Sequence, residues 1–378
     1  QVKEVNNITD FGHLSDNEES GDKMSQGLRR ERLALTLPNM RKLAEKYAQL
    51  FFEDLPHLSI DPAKILYPRA SDYIGEQIAL VQTLEQKGYA YRTSDGVYFD
   101  TARFGSYGKL GGINLAGQQS SGRVAENKEK RSPHDFALWK RNQKLGWESP
   151  WGMGFPGWHT ECVAMIFTLL GKQIDIHMGG TDLIPIHHNN EIAQAESATG
   201  KQFVRYWIHN ALITIEGKKI SKSLRNTIYL SQLIDRGLSP QALRYWYLTG
   251  HYRTPMNFTW ETLEGADQAL LRLRRFFLEL PGGGGADETF LKNFYEAIAN
   301  DLDTPGALAL VWDLVKEENL SPATKRACLV VADSIFGLGL GDSGAIAKLA
   351  VIPASKLPGE VQKLLTKREE ARSLKDFA

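Results

Sequence analysis

The chain has 378 residues, 42% of them hydrophobic, which is enough to bury a sizeable core and long enough for two or three domains. Lys plus Arg and Asp plus Glu each total 45, so no global positive field advertises nucleic acid, and any such contact has to come from a local patch. With cysteine only at Cys162 and Cys328 there is no disulfide framework, and with no apolar run near the ~20 residues of a membrane helix and no signal-peptide pattern, a cytoplasmic protein is expected.

Gln1 to Val5 alternates like a strand and runs straight into Asn6-Asn7-Ile8-Thr9-Asp10, so the fold reads as one entered midway. Leu28 to Phe52 and Ser71 to Gly88 carry apolar residues at helical spacing, with Ile74, Ile78, Val81 and Leu84 on one face of the second helix. Tyr89 to Asp100 reads as a hairpin around Ser94-Asp95-Gly96, and a polar stretch from Gln118 to Arg131 resembles an insertion. Trp139 to Trp158 holds four of the eight tryptophans among Gly and Pro, a composition suited to rigid, irregular walls.

Next come a helix (Thr160 to Leu170), a strand (Ile174 to His177), a Gly-Gly turn, a helix (Pro185 to Thr199) and a strand (Ala211 to Ile215). That alternation predicts a parallel α/β sheet. Pro281 to Gly285 cannot sustain helix or strand and marks a linker, after which everything beyond Asp287 reads as helical. Between Lys201 and Arg253 there are nine basic side chains against two acidic ones, which suits phosphates, although charge alone favours a solvated helix face.

Five of nine histidines, and one of the two cysteines, fall between positions 159 and 209. Pro185 suits a first helical turn and Gly200 a helix end, so His187 and Glu191, four apart, share a face and can grip one ion, while His188 points elsewhere. Thiolate, imidazole and carboxylate together suit zinc, whereas Mg²⁺ or Ca²⁺ prefers oxygen alone. Cys162, His187 and Glu191 fall one short of a tetrahedron; the bland alternative is a polar pair on a solvated helix and a buried thiol.

Lys219-Ile220-Ser221-Lys222-Ser223 follows a strand across Gly217 and puts two ammonium groups on a loop at a sheet edge. Lys222 there can hold the β- and γ-phosphates of a nucleotide, with Ser221 and Ser223 as neutral donors. A plain basic loop explains the pentad equally well. Gly179-Gly180-Thr181-Asp182 sits at the C-terminal end of a strand, where ligands bind open α/β sheets, and Asp182 can accept from a ribose hydroxyl or an α-amino group.

The order Pro156-Gly157-Trp158-His159-Thr160-Glu161-Cys162, Asp175 to Leu183, His187 to Gln194, Lys219 to Ser223 closely resembles the cysteinyl-tRNA synthetases, class I aminoacyl-tRNA synthetases. The resemblance extends to Asn7-Ile8-Thr9-Asp10, Ser132 to Lys140 and Asp301 to Gly306, and so covers nearly the whole chain. It implies a Rossmann-like parallel-sheet catalytic domain with a connective insertion, followed by an all-α helical domain. The expected boundaries are catalytic, first part, 1–60; insertion on the acceptor-stem side, 61–150; catalytic, second part, 151–280; helical tRNA-binding domain, 287–378.

The resemblance further implies zinc, one per chain, on Cys162, His187 and Glu191. It implies ATP with Mg²⁺ at Lys219, Ser221, Lys222, Gly180 and Asp182, within a KMSKS-like loop Lys219 to Ser223. Trp158, His159 and Asp182 line the cysteine and adenylate pocket. The substrates implied are L-cysteine, ATP and tRNA-Cys, acted on by a monomer away from any membrane. The family's HIGH signature and a further zinc-binding cysteine are expected before Gln1, and its anticodon-reading segment beyond Ala378. Two rivals share these motifs: a mycothiol-biosynthesis ligase joining cysteine to an amino sugar, and a non-catalytic zinc- and tRNA-binding paralogue.

Overall fold

A computed structural model describes residues 2–11, 23–113, 127–221, 226–341 and 358–373. The expected polar stretch from Gln118 to Arg131 lies mostly outside these residues, as do Lys222 and Ser223. The chain forms two compact units: Gln1–Leu233 with Gly250–Thr259, and Ile234–Thr249 with Trp260–Ala378.

In the first unit, β1 (Glu4–Val5) pairs in parallel with β2 (Ile65–Leu66). The helix expected from Leu28 to Phe52 is two. α1 (Lys23–Arg30) ends before Arg32, whose φ of +56° leaves the helical region, and α2 (Leu37–His57) starts afresh where Thr36 Oγ1 accepts from Asn39 N at 3.3 Å and Pro38 sits in the first turn. α3 (Ile74–Gln86) buries Ile74, Leu80, Val81 and Leu84 on its expected face, with Ile78 packed at the margin.

The hairpin is present as β3 (Ala90–Thr93) and β4 (Gly96–Phe99), and it continues through β5 (Phe136–Arg141) and β6 (Gly154–Pro156) into one antiparallel sheet. The tryptophan-rich stretch is therefore more regular than its composition suggested. Trp139 lies fully buried in β5, and the close pairing of β5 with β6 leaves no room at Gly154, where a Cβ would stand 2.0 Å from Lys140 O. Gly and Pro here permit strand contact rather than break it.

From β6 the chain enters α4 (Trp158–Leu169), then β7 (Ile174–Gly180), then α5 (Asn189–Thr199), then β8 (Val204–Asn210). β7 and β8 pair in parallel from Ile174↔Val204 to Gly180↔Asn210. Gly179-Gly180 is thus the end of a strand rather than a turn, because its backbone is still paired with β8, a strand that the sequence did not reveal. α5 ends as expected at Gly200, φ +71°. β9 (Ile213–Ile215) pairs with β10 (Lys218–Lys219) in antiparallel and with β11 (Met256–Phe258) in parallel. The expected α/β class with parallel strands is what the first unit forms.

A short α6 (Leu230–Asp235) follows β10 in the chain. The second unit is helical: α7 (Pro240–Leu248), α8 (Trp260–Glu279), α9 (Glu288–Ala299), α10 (Thr304–Lys316), α11 (Pro322–Phe336) and α12 (Gly359–Ser373). Along α8, Leu263, Ala266, Leu270, Leu273 and Phe277 are buried at alternating three- and four-residue spacing, the stripe of a core-facing helix. Asp287, Asp303 and Ser321 cap α9, α10 and α11 by accepting from Phe290, Gly306 and Thr324 backbone N–H groups. Two members of the basic stretch also serve this unit: Arg236 stacks on Trp260 with its guanidinium 3.8 Å from the ring centroid, and Arg244 donates to Phe336 O. Among the described residues no helix is long and apolar enough to cross a membrane.

Candidate active site

Three elements of the first unit meet at one point. α4 contributes Cys162, one turn after Trp158 on the same face. The chain between β7 and α5 contributes His187 from a single π-turn, Ile184–His188, and α5 contributes Glu191. The expected uninterrupted helix from Pro185 is therefore widened by one π-turn, a local form frequent at functional sites.

Cys162 Sγ stands 3.6 Å from His187 Nε2, and His187 Nε2 stands 3.0 Å from Glu191 Oε1. All three residues are buried, and their ligand-type atoms lie within 4.8 Å of one another. The His187–Glu191 approach has ion-pair distance without hydrogen-bond alignment, so Glu191 Oε1 is a buried carboxylate oxygen that no described donor satisfies. His187 Nδ1 is likewise buried without a hydrogen-bond partner among the described residues. An orphaned carboxylate oxygen, an imidazole nitrogen and a thiol converging in a buried site fit a cation of borderline softness.

The other carboxylate oxygen is held from behind: His177 Nε2 lies 2.7 Å from Glu191 Oε2. Burial alone would raise the Glu191 pKa, but the charge and hydrogen bond of His177, and then the proximity of His187, hold it well below the usual carboxylate range. Burial pulls His177 down, and Glu191 outweighs it, so His177 is shifted up and favours imidazolium. Cys162 is pushed up by burial first and then by Glu191, so without a cation its thiol stays protonated.

His188 does not contact Cys162, but it does not point away from the cluster either. Its ring packs 4.9 Å from His177 and 4.8 Å from Trp207, its Nδ1 lies 2.8 Å from His209 Nε2, and with His177 and Glu191 it forms a second group of ligand-type atoms. Burial, with the neighbouring histidines, lowers its pKa to about 3, which keeps it neutral. β8 supplies Trp207 and His209 from alternate positions of one face.

Trp158 is 45% exposed, with its ring 4.2 Å from that of His187. The His159 ring lies 6.1 Å from His187, and its Nδ1 is 3.5 Å from Gln194 Nε2, whose amide oxygen accepts from Thr160 Oγ1 at 2.9 Å. Asp182 is exposed on the 3-10 turn Thr181–Leu183 after β7, and the space a Cβ would take at Gly180 is filled by Asp182 Oδ1, 2.3 Å away. Lys219 ends β10, in the sheet of β9 and β11, and Ser221 follows the strand, with Ile220 44% exposed between them.

The sequence reading missed five supporting residues. His177 and His209 were visible only as part of a histidine-rich stretch, and Gln194 as a polar residue on a helix. Asn226 closes the base of the lysine loop, accepting from Ser221 N at 2.9 Å and donating to Lys219 O at 3.1 Å. Asn257 Oδ1 accepts from Gly217 N at 2.7 Å and from Thr214 Oγ1 at 2.9 Å, which braces the same hairpin.

Residues 1–268 match the family model described as tRNA synthetases class I (C) catalytic domain. The whole chain aligns with cysteine–tRNA ligase 1 of Burkholderia lata at 44% identity over 78% of that protein. It aligns with the cysteine–tRNA ligase of Thermus thermophilus at 39% over 81%. A crystal structure of Mycobacterium tuberculosis methionyl-tRNA synthetase bound by methionyl-adenylate superposes with TM-score 0.60 at 14% identity, covering 89% of this chain and 82% of that one, a likeness of fold.

Proposed function

Because the chain belongs to the class I cysteinyl-tRNA synthetase family, we propose that it activates L-cysteine with ATP and passes it to tRNA-Cys, choosing the thiol at a zinc site made by Cys162, His187 and Glu191. The reaction class is that of the family, an ATP-dependent ligase acting on an amino acid and tRNA. The observation that carries the zinc reading is Glu191 Oε1, a buried carboxylate oxygen without a donor that faces an imidazole and a thiol. Zinc bound there would supply a soft Lewis acid that prefers a substrate thiolate to the hydroxyl of serine, a sharper distinction than the ~1–3 kcal/mol of a methylene-sized apolar contact.

The chain's own residues do the positioning. Trp158 covers one side of His187 and walls the amino-acid pocket, while His159, steadied by Gln194, lines it beside Phe136. Asp182, exposed beyond the end of β7, is suited to an α-amino group or a ribose hydroxyl, with Gly180 beside it. Lys219 and Ser221, with Lys222 and Ser223, form the loop that meets ATP and its Mg²⁺, and Asn226 ties that loop at its base. As the cysteine carboxylate attacks the α-phosphate, Lys222 counters the charge that grows on the departing pyrophosphate.

Residues 61–150 are assigned to the acceptor-stem side and 287–378 to tRNA binding, in a cytoplasmic monomer. Metal analysis of the purified protein should find about one zinc per chain, and pyrophosphate exchange should prefer cysteine to serine. Cys162→Ser should impair both, and normal selectivity in zinc-free protein would sink the reading. Lys222→Ala should slow exchange by about 10²–10³-fold while zinc content stays the same.

A further inference from the structure

The segment from Phe104 to Ile113 reaches the turn that carries His187 through contacts that the proposed chemistry does not use. Tyr107 Oη donates to Asn190 Oδ1 at 2.5 Å. Asn189 Nδ2 donates both to Leu110 O at 3.1 Å and to Ile184 O at 2.7 Å, joining the segment to the first carbonyl of the π-turn. Gly111, φ +77°, presses against the same turn so closely that a Cβ there would stand 2.5 Å from Ile184 Cγ2.

Asn189 and Asn190 are 2% and 0% exposed, and they lie in the chain between His187 and Glu191. Asn190 Nδ2 finds no partner among the described residues, so Tyr107 is what fixes that carboxamide. A single π-turn holds one residue more than the α-helix around it, and losing that register turns the preceding residues by about 100° per residue. His187 sits inside the turn and Glu191 beyond it, so a slip would separate them.

We propose that Tyr107 is a positioning residue for the metal site: its bond to Asn190, with the Leu110–Asn189 bond, holds the π-turn in the register that aims His187 and Glu191 at Cys162. The proposal rests on the reading of those three residues as zinc ligands. Phenylalanine at position 107 keeps the ring and removes only the hydroxyl, so the fold is retained.

Zn²⁺ affinity is to be measured on the purified protein by competition with a colorimetric chelator, for wild type, Tyr107→Phe, Asn190→Ala and the double variant. Tyr107→Phe should bind Zn²⁺ about tenfold more weakly, as loss of outer-shell support does. The KM for cysteine should rise while that for ATP does not, and excess Zn²⁺ should restore it. The double variant should be no weaker than Asn190→Ala alone, as for two partners of one bond. Wild-type Zn²⁺ affinity and cysteine KM in Tyr107→Phe would overturn the proposal, as would a loss shared by cysteine and ATP that excess Zn²⁺ leaves in place. A wild-type protein that takes up no Zn²⁺ would overturn the ligand reading beneath it.

Discussion

At Gly179 an added Cβ would stand 2.6 Å from Cε1 and 2.9 Å from Nε2 of His188. The backbone there is ordinary strand, so the demand on glycine is one of space alone: β7 makes room for the imidazole that bonds His209. Gly179→Ala should displace His188 and cost about 1–3 kcal/mol by overpacking. A denaturation midpoint equal to wild type would contradict this. What approaches the Gly179 backbone in the structure is a side chain of the protein itself. Spacing four apart did identify His187 and Glu191 as a pair. The chain could not show locally that His177 grips the far oxygen of Glu191, because they lie 14 positions apart on a strand and a helix.

The end of α5 at Gly200 was legible in the sequence. Asp287, Asp303 and Ser321 are short polar residues just before apolar periodicity, and each is a working cap, so the Asp301 to Gly306 motif that resembles the synthetases has a structural reading as the start of α10. The π-turn was not legible, because it differs from α-helix by one residue and its support comes from Leu110 and Tyr107, remote in sequence. In α8, Asp267 is 6% exposed and accepts from Ser239 N at 3.1 Å, at the start of α7. Burial raises its pKa, and the Ser239 bond and then Arg274 oppose that only in part. A carboxyl raised in the folded state holds its proton longer there than when unfolded. Its contribution is therefore fully present below the ordinary ~3.8 and is lost as pH rises through the folded value. Asp267→Asn, which keeps the acceptor, should flatten that part of the stability–pH curve and leave stability at neutral pH equal or higher. Asp267→Ala should cost about 1–3 kcal/mol by orphaning the Ser239 N–H. Urea titrations across acid and neutral pH distinguish these outcomes.

At the scale of the molecule, the candidate metal site ties α4 to the π-turn and α5 across the first unit, so an ion that binds only the folded form must stabilise it by mass action. Stripping the protein with a chelator should lower its calorimetric transition by several degrees, zinc should restore it, and Cys162→Ser should be insensitive to both. A chelated protein melting with the untreated one would remove the structural role. The basic stretch from Lys201 to Arg253 divides between the two units, and Arg244 is engaged with Phe336 O, so charge counted along the chain overstated the surface available to phosphate.

The sequence by itself determined the residue types of the candidate ligand set, their order along the chain and the α/β alternation, since each depends on neighbours a few positions apart. Only the tertiary structure decided that a thiol on one helix stands 3.6 Å from an imidazole on the next, and that β8 exists to carry Trp207 and His209 against His177 and His188. Those contacts depend on the register of a parallel strand pair and on side chains meeting in a dry interior, and neither leaves a periodic trace in the chain.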